Sequence, residues 1–347
     1  MLPGVSKFFL TELLPEEICK KLELSPAFRG KQIFKWVGAG VTSFDKMTDL
    51  SKDLRVILKN KALLRSSFVS KVLKDPDGTI KLQLELHDGL AVETVLLTDS
   101  ENRKTACVSC QVGCAMKCGF CQTGRLGFAR NLSAGEIVEQ FHFLEQEAGK
   151  LSNIVFMGMG EPMQNLEAVR KAVAILTHKE GRALSAKRIT ISTSGLVPGI
   201  YDLADNGPHL RLAVSITTAD PKLREDLMPI SKTYGLNELK KAIDYYSLKT
   251  GKRVTLEAAL MGNVNTGDDS AKNMIEFASG MNVNINLIPW NPVEGLPFTE
   301  PAGSECKRFA CLLQEAGLNV TLRTKRGRKI GGACGQLGVT RVRQEPR

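Results

Sequence analysis

Histidine is scarce in this sequence, with four residues among 347, so we do not expect a metal centre built from imidazole ligands. No apolar run approaches the roughly 20 residues that a membrane-spanning helix needs. Residues 1–4 lack the charged and then apolar arrangement of a signal peptide. No internal repeat or low-complexity tract is present. These absences predict a cytoplasmic globular protein without membrane contact.

Cysteine, in contrast, is concentrated in one place. The chain contains nine cysteines, an odd number that does not suit a disulfide framework. Five of them lie within fifteen residues: Cys107, Cys110, Cys114, Cys118 and Cys121. In a reducing compartment such crowding indicates metal binding or redox chemistry rather than structural disulfides.

The net charge is +10, and its distribution is uneven. Residues 1–66 carry twelve Lys and Arg against seven Asp and Glu, and a second basic run occupies residues 323–329. Separated basic patches are typical of proteins that bind a polyphosphate such as RNA. The alternative is ordinary solvated surface charge, and charge alone does not decide between the two.

The chain divides into three predicted parts. Residues 1–66 form a helical module, with helices expected at 15–24, 29–37 and 52–64 and with Ser51 as the cap of the third. Residues 67–98 form a β-meander of three strands joined by two Asp/Gly turns. Residues 99–347 form the main α/β domain and carry a C-terminal tail.

Strands and helices alternate from residue 104 onward. Strands are expected at 104–108, 153–157, 188–192, 211–215, 253–257, 284–288 and 319–323. Helices are expected after the capping box of Ser133 and Glu136 and at 165–178, 236–248, 266–280 and 304–316. This alternation predicts an α/β fold in which a parallel sheet curls into a partial (β/α)6 barrel.

Four of the predicted strands end in polar or glycine-rich residues. These ends lie at residues 158–162, 192–195, 215–217 and 290–291. Because the carboxyl ends of parallel strands open on the same face of a barrel, we expect them to form one site.

The spacing Cys114-x3-Cys118-x2-Cys121 places three thiolates in one short loop. Three cysteines that hold a four-iron cluster leave one iron without a protein ligand. That iron can bind the amino and carboxylate groups of S-adenosylmethionine and reduce its sulfonium, which releases a 5′-deoxyadenosyl radical. The alternative is a structural zinc held by Cys107, Cys110, Cys118 and Cys121. The triplet spacing at the end of the first barrel strand favours the [4Fe-4S] cluster.

Two further motifs suit this chemistry. In residues 158–162 the glycines allow close approach of a ligand, and Glu161 can accept from the ammonium group of S-adenosylmethionine. Cys334 lies in a glycine-flanked stretch, where the neighbouring Arg328 and Lys329 would lower its pKa. Cys107 is expected at a strand end that faces the site. Cys19, Cys306 and Cys311 fall in helical patterns and are expected to be buried and inert.

Together these motifs resemble one known family, the radical-SAM RNA adenine C2-methyltransferases of the RlmN/Cfr group. The resemblance extends in the family's order over nearly the whole chain. The matching stretches are residues 27–34, 92–95, 107–121, 127–132, 158–162, 192–195, 286–292 and 333–337.

The resemblance implies a two-stage methylation. One S-adenosylmethionine methylates Cys334, and the radical derived from a second takes hydrogen from that methyl group. The resulting carbon radical adds to C2 of an adenine, Glu93 removes the C2 proton, and Cys107 attacks Cys334 to release the product and leave a disulfide. The implied contacts to S-adenosylmethionine are Gly160, Glu161, Ser192, Ser215, Ile216, Thr217 and Asn291.

The resemblance also implies the partners. They are 23S ribosomal RNA, an adenosine beside the anticodon of tRNA, and an electron donor such as flavodoxin or ferredoxin, with the enzyme acting as a monomer. Phosphate contacts are expected on the basic N-terminal module. Thr217 stands where members often carry His or Asn, and Cys110 where many carry Ser. Two alternatives remain open: a relative that methylates C8 of the same adenine, and a zinc-stabilised RNA-binding protein without catalysis.

Overall fold

The computed structural model describes residues 7–339 of the chain. Residues 1–6 and 340–347 lie outside this description. The interpretation of residues 1–4 as lacking a signal peptide falls there, as do the outer ends of the first and third predicted parts. Among the described residues, no helix combines the length and the apolar character that crossing a membrane requires. The boundaries of the three parts remain a prediction.

The N-terminal part is helical, as the sequence predicts. Its elements are β1 (Phe8–Phe9), α1 (Pro15–Leu22), α2 (Phe28–Gly38), α3 (Lys52–Lys61) and β2 (Ala62–Leu63). The Ser51 hydroxyl accepts a hydrogen bond from the Leu54 amide at 3.3 Å, which confirms the predicted cap. Helix α3 ends three residues before the predicted limit because β2 pairs in parallel with β1.

The meander follows and is part of the main sheet. Strands β3 (Ser67–Lys74), β4 (Ile80–Leu86) and β5 (Ala91–Thr98) pair antiparallel in this order. Strand β5 then pairs antiparallel with β6 (Lys104–Cys107), the first strand of the barrel. The meander therefore extends the barrel sheet at its first edge.

The remaining elements form the partial barrel. In chain order they are β7 (Gln111–Gly113), α4 (Gln122–Arg125), β8 (Phe128–Asn131), α5 (Ala134–Ala148), β9 (Asn153–Phe156), α6 (Leu166–Thr177), β10 (Ile189–Thr193), α7 (Val197–Asn206), β11 (Arg211–Ser215), α8 (Pro221–Leu227), α9 (Leu236–Thr250), β12 (Val254–Leu260), α10 (Asp268–Ala278), β13 (Val283–Pro289), α11 (Gly303–Glu315) and β14 (Val320–Leu322). The capping box of Ser133 and Glu136 begins α5 as predicted. Helices α7 and α8 and the β7–β8 hairpin were not predicted.

The sheet is open rather than closed. Its order is β14-β13-β12-β11-β10-β9-β6-β5-β4-β3, and neighbouring strands from β6 to β14 run parallel. Strands β14 and β3 are the two edges and do not pair with each other, so the barrel is partial. This confirms the predicted fold class.

Side chains largely alternate between the two faces of the barrel strands. Ile154, Ile191 and Leu256 are fully buried against the outer helices. The residues before or after them point the other way, and Asn153 and Thr255 line the interior of the barrel. Polar as well as apolar residues thus face inward, and the interior is an open channel, here called the lumen.

A tail of residues 326–338 spans the gap between the sheet's last strand and the meander. The Gly327 amide donates to the Asp77 carboxylate at 2.7 Å, and the Lys81 ammonium donates to the Gly331 carbonyl at 3.1 Å. Asp77 belongs to the β3–β4 turn and Lys81 to β4. The tail therefore closes the side of the barrel that strand pairing leaves open.

One buried histidine predicts the acid sensitivity of the fold. His142 on α5 is 2% exposed, and neither ring nitrogen has a hydrogen-bond partner among the described residues. Burial, together with the nearby Arg65 and Arg182, lowers its pKa from 6.5 to about 3. Between these two values the unfolded chain binds a proton that the native chain does not, so the free energy of unfolding falls as pH falls, by about 1.4 kcal/mol per pH unit from this group.

We therefore expect His142→Leu to be less sensitive to acid than the unsubstituted chain. The measurement is the urea midpoint of unfolding at several pH values between about 6.5 and 4. His209→Leu, which changes an exposed histidine, serves as the control and should retain the original slope. An unchanged slope in His142→Leu would show that another group causes the sensitivity.

Candidate active site at the carboxyl ends of the barrel strands

A cleft with about 1040 Å³ of empty space opens where the barrel strands end. Its walls combine the cysteine loop with the polar strand ends that the sequence singles out. They include Cys114, Cys118, Cys121, Gly160, Glu161, Ser192, Ser215, Thr217, Asn291 and Cys334. The expectation that these strand ends open on one face is confirmed.

The cysteine loop is held by the β7–β8 hairpin. The Cys114 amide donates to the Gly127 carbonyl at 2.8 Å, and the Gly119 amide donates to the Leu227 carbonyl at 2.8 Å. Gly113 has a positive φ of 77°, and a Cβ on it would lie 1.9 Å from the Gly127 oxygen. Only glycine allows this approach. The glycines at both ends of the loop were the signal that could have predicted the hairpin.

The three thiols of the loop are buried together. Burial raises the pKa of Cys114 to about 12 and also raises the pKa values of Cys118 and Cys121, with further contributions from their mutual repulsion. A metal centre among the three sulfurs would reverse this effect, because a coordinated thiol loses its proton. The donor set therefore fits a cationic iron–sulfur cluster.

The zinc alternative does not fit the geometry. Among residues 7–339, no group of three or more His, Cys, Asp or Glu side chains converges closely enough to hold a single ion. Cys107 lines the lumen, and Cys110 is 2% exposed with a pKa raised by burial. The four cysteines of the zinc hypothesis thus do not meet. Cys110 lines neither the cleft nor the lumen.

The second strand end requires glycine for close packing against the protein itself. Gly160 has a φ of 104°, and a Cβ on it would lie 2.6 Å from the Gln111 side chain. The next residue, Glu161, accepts from the Ser194 amide at 2.7 Å, from its hydroxyl at 2.8 Å, and from the Met163 amide at 3.1 Å. Burial raises the pKa of Glu161, and these hydrogen bonds oppose the rise. Glu161 is therefore a fixed acceptor on the wall of the cleft.

Asn291 leaves a buried acceptor unsatisfied in the cleft. Its Nδ2 donates to the Cys334 carbonyl at 3.3 Å, whereas its buried Oδ1 has no partner among the described residues. An unpaired buried oxygen is costly, so a ligand with an N–H or O–H donor fits here. Ser215 and Thr217 line the cleft, but Ile216 between them does not, because its side chain is fully buried.

The tail docks directly onto the cysteine loop. The Gln122 amide donates to the Gly335 carbonyl at 2.8 Å, and the Thr123 hydroxyl donates to the Leu337 carbonyl at 2.6 Å. These bonds hold Cys334 at a position where it lines both the cleft and the lumen. The cysteine that the sequence places on a glycine-flanked stretch is thus held between two cavities.

Arg323 is the cation at Cys334, and the sequence analysis missed it. Its Nη1 lies 3.9 Å from the Cys334 sulfur, and attraction to Cys334 and Glu257 raises the pKa of the arginine. The expectation that Arg328 and Lys329 activate Cys334 is corrected, because Arg328 forms an ion pair with Glu300. Arg323 could have been found as a charge on a predicted strand that ends at the site.

Cys107 shares the lumen with Cys334. It ends β6 and is 6% exposed, and burial together with Cys334 raises its pKa to about 12. All nine cysteines are free thiols in the structure, so the expected disulfide between Cys107 and Cys334 is not present. Cys306 is buried as predicted, whereas Cys311 is exposed, contrary to the expectation.

Glu93 lies behind the tail rather than on the wall of either cavity. It is 3% exposed on β5, pairs with Lys81 at 2.9 Å, and accepts from the Gly338 amide at 2.7 Å. An exposed strand of a meander could carry Glu93 as an outward surface charge, but its burial rules this out. The Glu93 carboxylate therefore contacts the tail at Gly338, which is four residues after Cys334 in the sequence.

A parallel α/β barrel with three cysteines in a loop after its first strand defines a class of enzyme. Residues 108–278 match the family model of the Radical SAM superfamily. Residues 17–64 match the model of the ribosomal RNA large subunit methyltransferase N-terminal domain. The first match contains the cysteine loop, and the second coincides with the helical N-terminal part.

Comparison with known proteins identifies the family. A protein of Treponema denticola named as a probable dual-specificity RNA methyltransferase RlmN is 60% identical over 337 residues, which cover 97% of each chain. One of the same name from Rhodopirellula baltica is 43% identical and covers 89% of this chain and 84% of its own. The crystal structure of a radical SAM methyltransferase from Sphaerobacter thermophilus is 41% identical, with a TM-score of 0.91 over 95% of this chain and 99% of that one. This chain belongs to the RlmN family of radical SAM RNA methyltransferases.

Proposed function

We propose that this chain methylates C2 of an adenosine in 23S ribosomal RNA and of an adenosine beside the anticodon of tRNA, with methylated Cys334 as the intermediate. The observation that carries the proposal is the position of Cys334. It lies between a cleft walled by three cysteines and a lumen that contains a second cysteine, Cys107. A thiol in this place can take a methyl group from one side and present it to the other.

Cys114, Cys118 and Cys121 would hold a [4Fe-4S] cluster, which when bound supplies the electron that splits S-adenosylmethionine into methionine and a 5′-deoxyadenosyl radical. Glu161 offers a carboxylate to the ammonium group of this cofactor, and the unpaired Oδ1 of Asn291 accepts from one of its donors. The remaining proposed contacts are Gly160, Ser192, Ser215 and Thr217 on the wall, with Ile216 supporting the segment from behind.

Two thiols then carry the chemistry of the chain itself. Arg323 stands beside Cys334 and stabilises the thiolate that displacement requires. After the adduct has lost the C2 proton and given its unpaired electron to a one-electron acceptor, Cys107 attacks the Cys334 sulfur. The sulfur–sulfur bond forms as the sulfur–carbon bond breaks, and the freed carbon takes up a proton to complete the methyl group. The transient disulfide must be reduced before the next turnover. A flavodoxin or ferredoxin in the cytoplasm would supply electrons to the cluster, and the enzyme would act as a monomer.

The experiment is nucleoside mass spectrometry on RNA treated with anaerobically reconstituted protein, S-adenosylmethionine and a reductant. We expect 2-methyladenosine in both a 23S fragment and a tRNA. Detection of 8-methyladenosine would assign the chain to the alternative regiochemistry. A colourless preparation that contains zinc and no sulfide would support the RNA-binding protein without catalysis.

Glu93→Gln tests the proposed base. Glutamine keeps an oxygen that can accept from the Gly338 amide but cannot take a proton from carbon. We expect RNA methylation to fall about 10²- to 10⁴-fold, the usual contribution of a general base. Methylation of Cys334, followed by peptide mass spectrometry, should remain as in the unsubstituted protein. Glu85→Gln on the neighbouring strand is the control. If Cys334 methylation is lost as well, Glu93 acts by holding the tail and not as a base.

A further inference from the structure

We propose that the target nucleotide enters the barrel from the end opposite the cleft, with its phosphates on Arg188 and Arg211 and its base in the lumen beside Cys107 and Cys334. This inference rests on the proposed function and specifies the path of its substrate. It moves the principal phosphate contacts from the N-terminal helical module, where the sequence analysis expects them, to the barrel.

The lumen is built to hold a polar ligand. It has a volume of about 690 Å³, and polar side chains stand among the apolar ones on its wall. Barrels of this kind often fill their interior with branched apolar residues. Here Thr190, Thr255 and Asn284 occupy those positions, which leaves the channel open and provides hydrogen-bonding groups along its length.

The middle of the lumen holds acceptors at the level of the two thiols. Glu257 accepts from the Asn286 amide at 3.0 and 3.1 Å, and both residues line the channel. The exocyclic amino group of adenine is a donor and needs an acceptor of this kind. A base placed here would have Cys107 and Cys334 on the wall beside it.

Two other routes into the lumen are narrowed by contacts within the protein. The tail closes the lateral gap through the Gly327–Asp77 and Lys81–Gly331 hydrogen bonds. The cysteine loop covers the cleft side, where the Trp290 indole donates to the Phe120 carbonyl at 2.9 Å. The end formed by the amino termini of the strands is the remaining approach.

Arginines surround that end. Arg188 immediately precedes β10, Arg211 begins β11, and both are exposed and line the lumen. Among the described residues neither forms an ion pair, whereas the nearby Arg103 is paired with Asp99 and Glu101. Two unpaired guanidinium groups on adjacent strands suit the backbone of a nucleic acid.

The depth of the channel suits a single flipped nucleotide. From Arg211 to Ser215 the strand rises about 13 Å at about 3.3 Å per residue. A base that leaves its stack can reach the thiols across this distance while its phosphates stay at the rim. A duplex, which is wider than the channel, would remain outside.

The test is the double variant Arg188→Glu/Arg211→Glu, matched by Lys241→Glu/Lys307→Glu. The control makes the same charge change at exposed lysines on the outer helices α9 and α11. The probe is an unmodified anticodon stem-loop RNA, with its Kd followed by fluorescence anisotropy and its methylation KM measured over a range of salt. We expect Kd and KM to rise at least about tenfold in the rim variant. The slope of log Kd against log salt concentration should fall by at least about 1.4, because each of the two lost phosphate contacts contributes about 0.7. Methylation of Cys334 should be unchanged.

Equal effects in the two double variants, or an unchanged Kd in the rim variant, would overturn the proposal. A second variant, Thr255→Trp, places a bulky side chain within the channel and should stop RNA methylation while Cys334 is still methylated. Normal RNA methylation by Thr255→Trp would also overturn it. If the unsubstituted protein never methylates Cys334 or RNA, the proposed function fails instead, and the anisotropy comparison still decides the binding site.

Discussion

Cys334→Ser is expected to lose RNA methylation by more than about a thousandfold, because a serine hydroxyl is not ionised at neutral pH and cannot accept the first methyl group. The substitution changes one atom on the wall between cleft and lumen and removes no hydrogen bond that holds the tail. The cysteine loop keeps its contacts with Gly335 and Leu337 through their carbonyl groups. The effect should therefore be chemical and not structural.

Two measurements separate these possibilities for Cys334→Ser. Peptide mass spectrometry should find no methyl group on residue 334, and production of 5′-deoxyadenosine from S-adenosylmethionine should persist because the three cluster ligands are intact. Cys311→Ser, at an exposed cysteine away from the site, is the control and should behave as the unsubstituted protein. Methylated RNA from Cys334→Ser would refute the two-stage mechanism while leaving the fold assignment untouched.

Cys107→Ala should stop the reaction at a later point and trap RNA on the protein. Without the second thiol, the bond between the Cys334 sulfur and the new carbon is not broken by thiol attack. We expect a covalent conjugate of RNA and protein to accumulate towards one per chain while release of methylated RNA falls by at least about a hundredfold. The lost side chain is small, so the accompanying cost in stability should be about 1 kcal/mol.

A denaturing gel detects the Cys107→Ala conjugate, and nuclease digestion followed by peptide mass spectrometry locates it on Cys334. Cys110→Ala is the matched control, since Cys110 is buried three residues away and lines neither the cleft nor the lumen. It should release free methylated RNA without a conjugate. Repeated turnover by Cys107→Ala would show that another group releases the product.

If the nucleotide enters the lumen as proposed, Cys334 and Cys107 both act on a base that lies in the lumen. Cys107 lines the lumen and not the cleft, whereas Cys334 lines both. In the proposed mechanism, the methyl group would therefore be acquired on one side of the tail and delivered on the other. The Arg323 guanidinium, 3.9 Å from the Cys334 sulfur, stands where the two spaces meet.

Much of the fold followed from local patterns. The barrel strands appear within one or two residues of their predicted starts, because alternation with amphipathic helices leaves few other arrangements. The features that were missed include helices α7 and α8 and the β7–β8 hairpin, which are short or begin with proline and glycine residues that resemble loops. Their formation depends on neighbours that the local sequence does not contain.

The sequence predicted some residues of the candidate site and missed others. The cysteine triplet and the strand ends came from spacing, and they do share a cleft. Arg323 was missed and Arg328 was preferred, because proximity in sequence to Cys334 favoured the latter. Arg323 directly follows β14 and lines the lumen, whereas Arg328 pairs with Glu300.

The sequence by itself determined the class of fold, the cluster-binding triplet and the family resemblance, since each depends on residues that are close along the chain. Only the tertiary structure decided that the tail closes the barrel and that Glu93 and Lys81 hold it from the meander. Those contacts join residues about 250 positions apart, such as Lys81 and Gly331. No local periodicity encodes such a pairing, because it exists only after the sheet has curled and brought its two edges together.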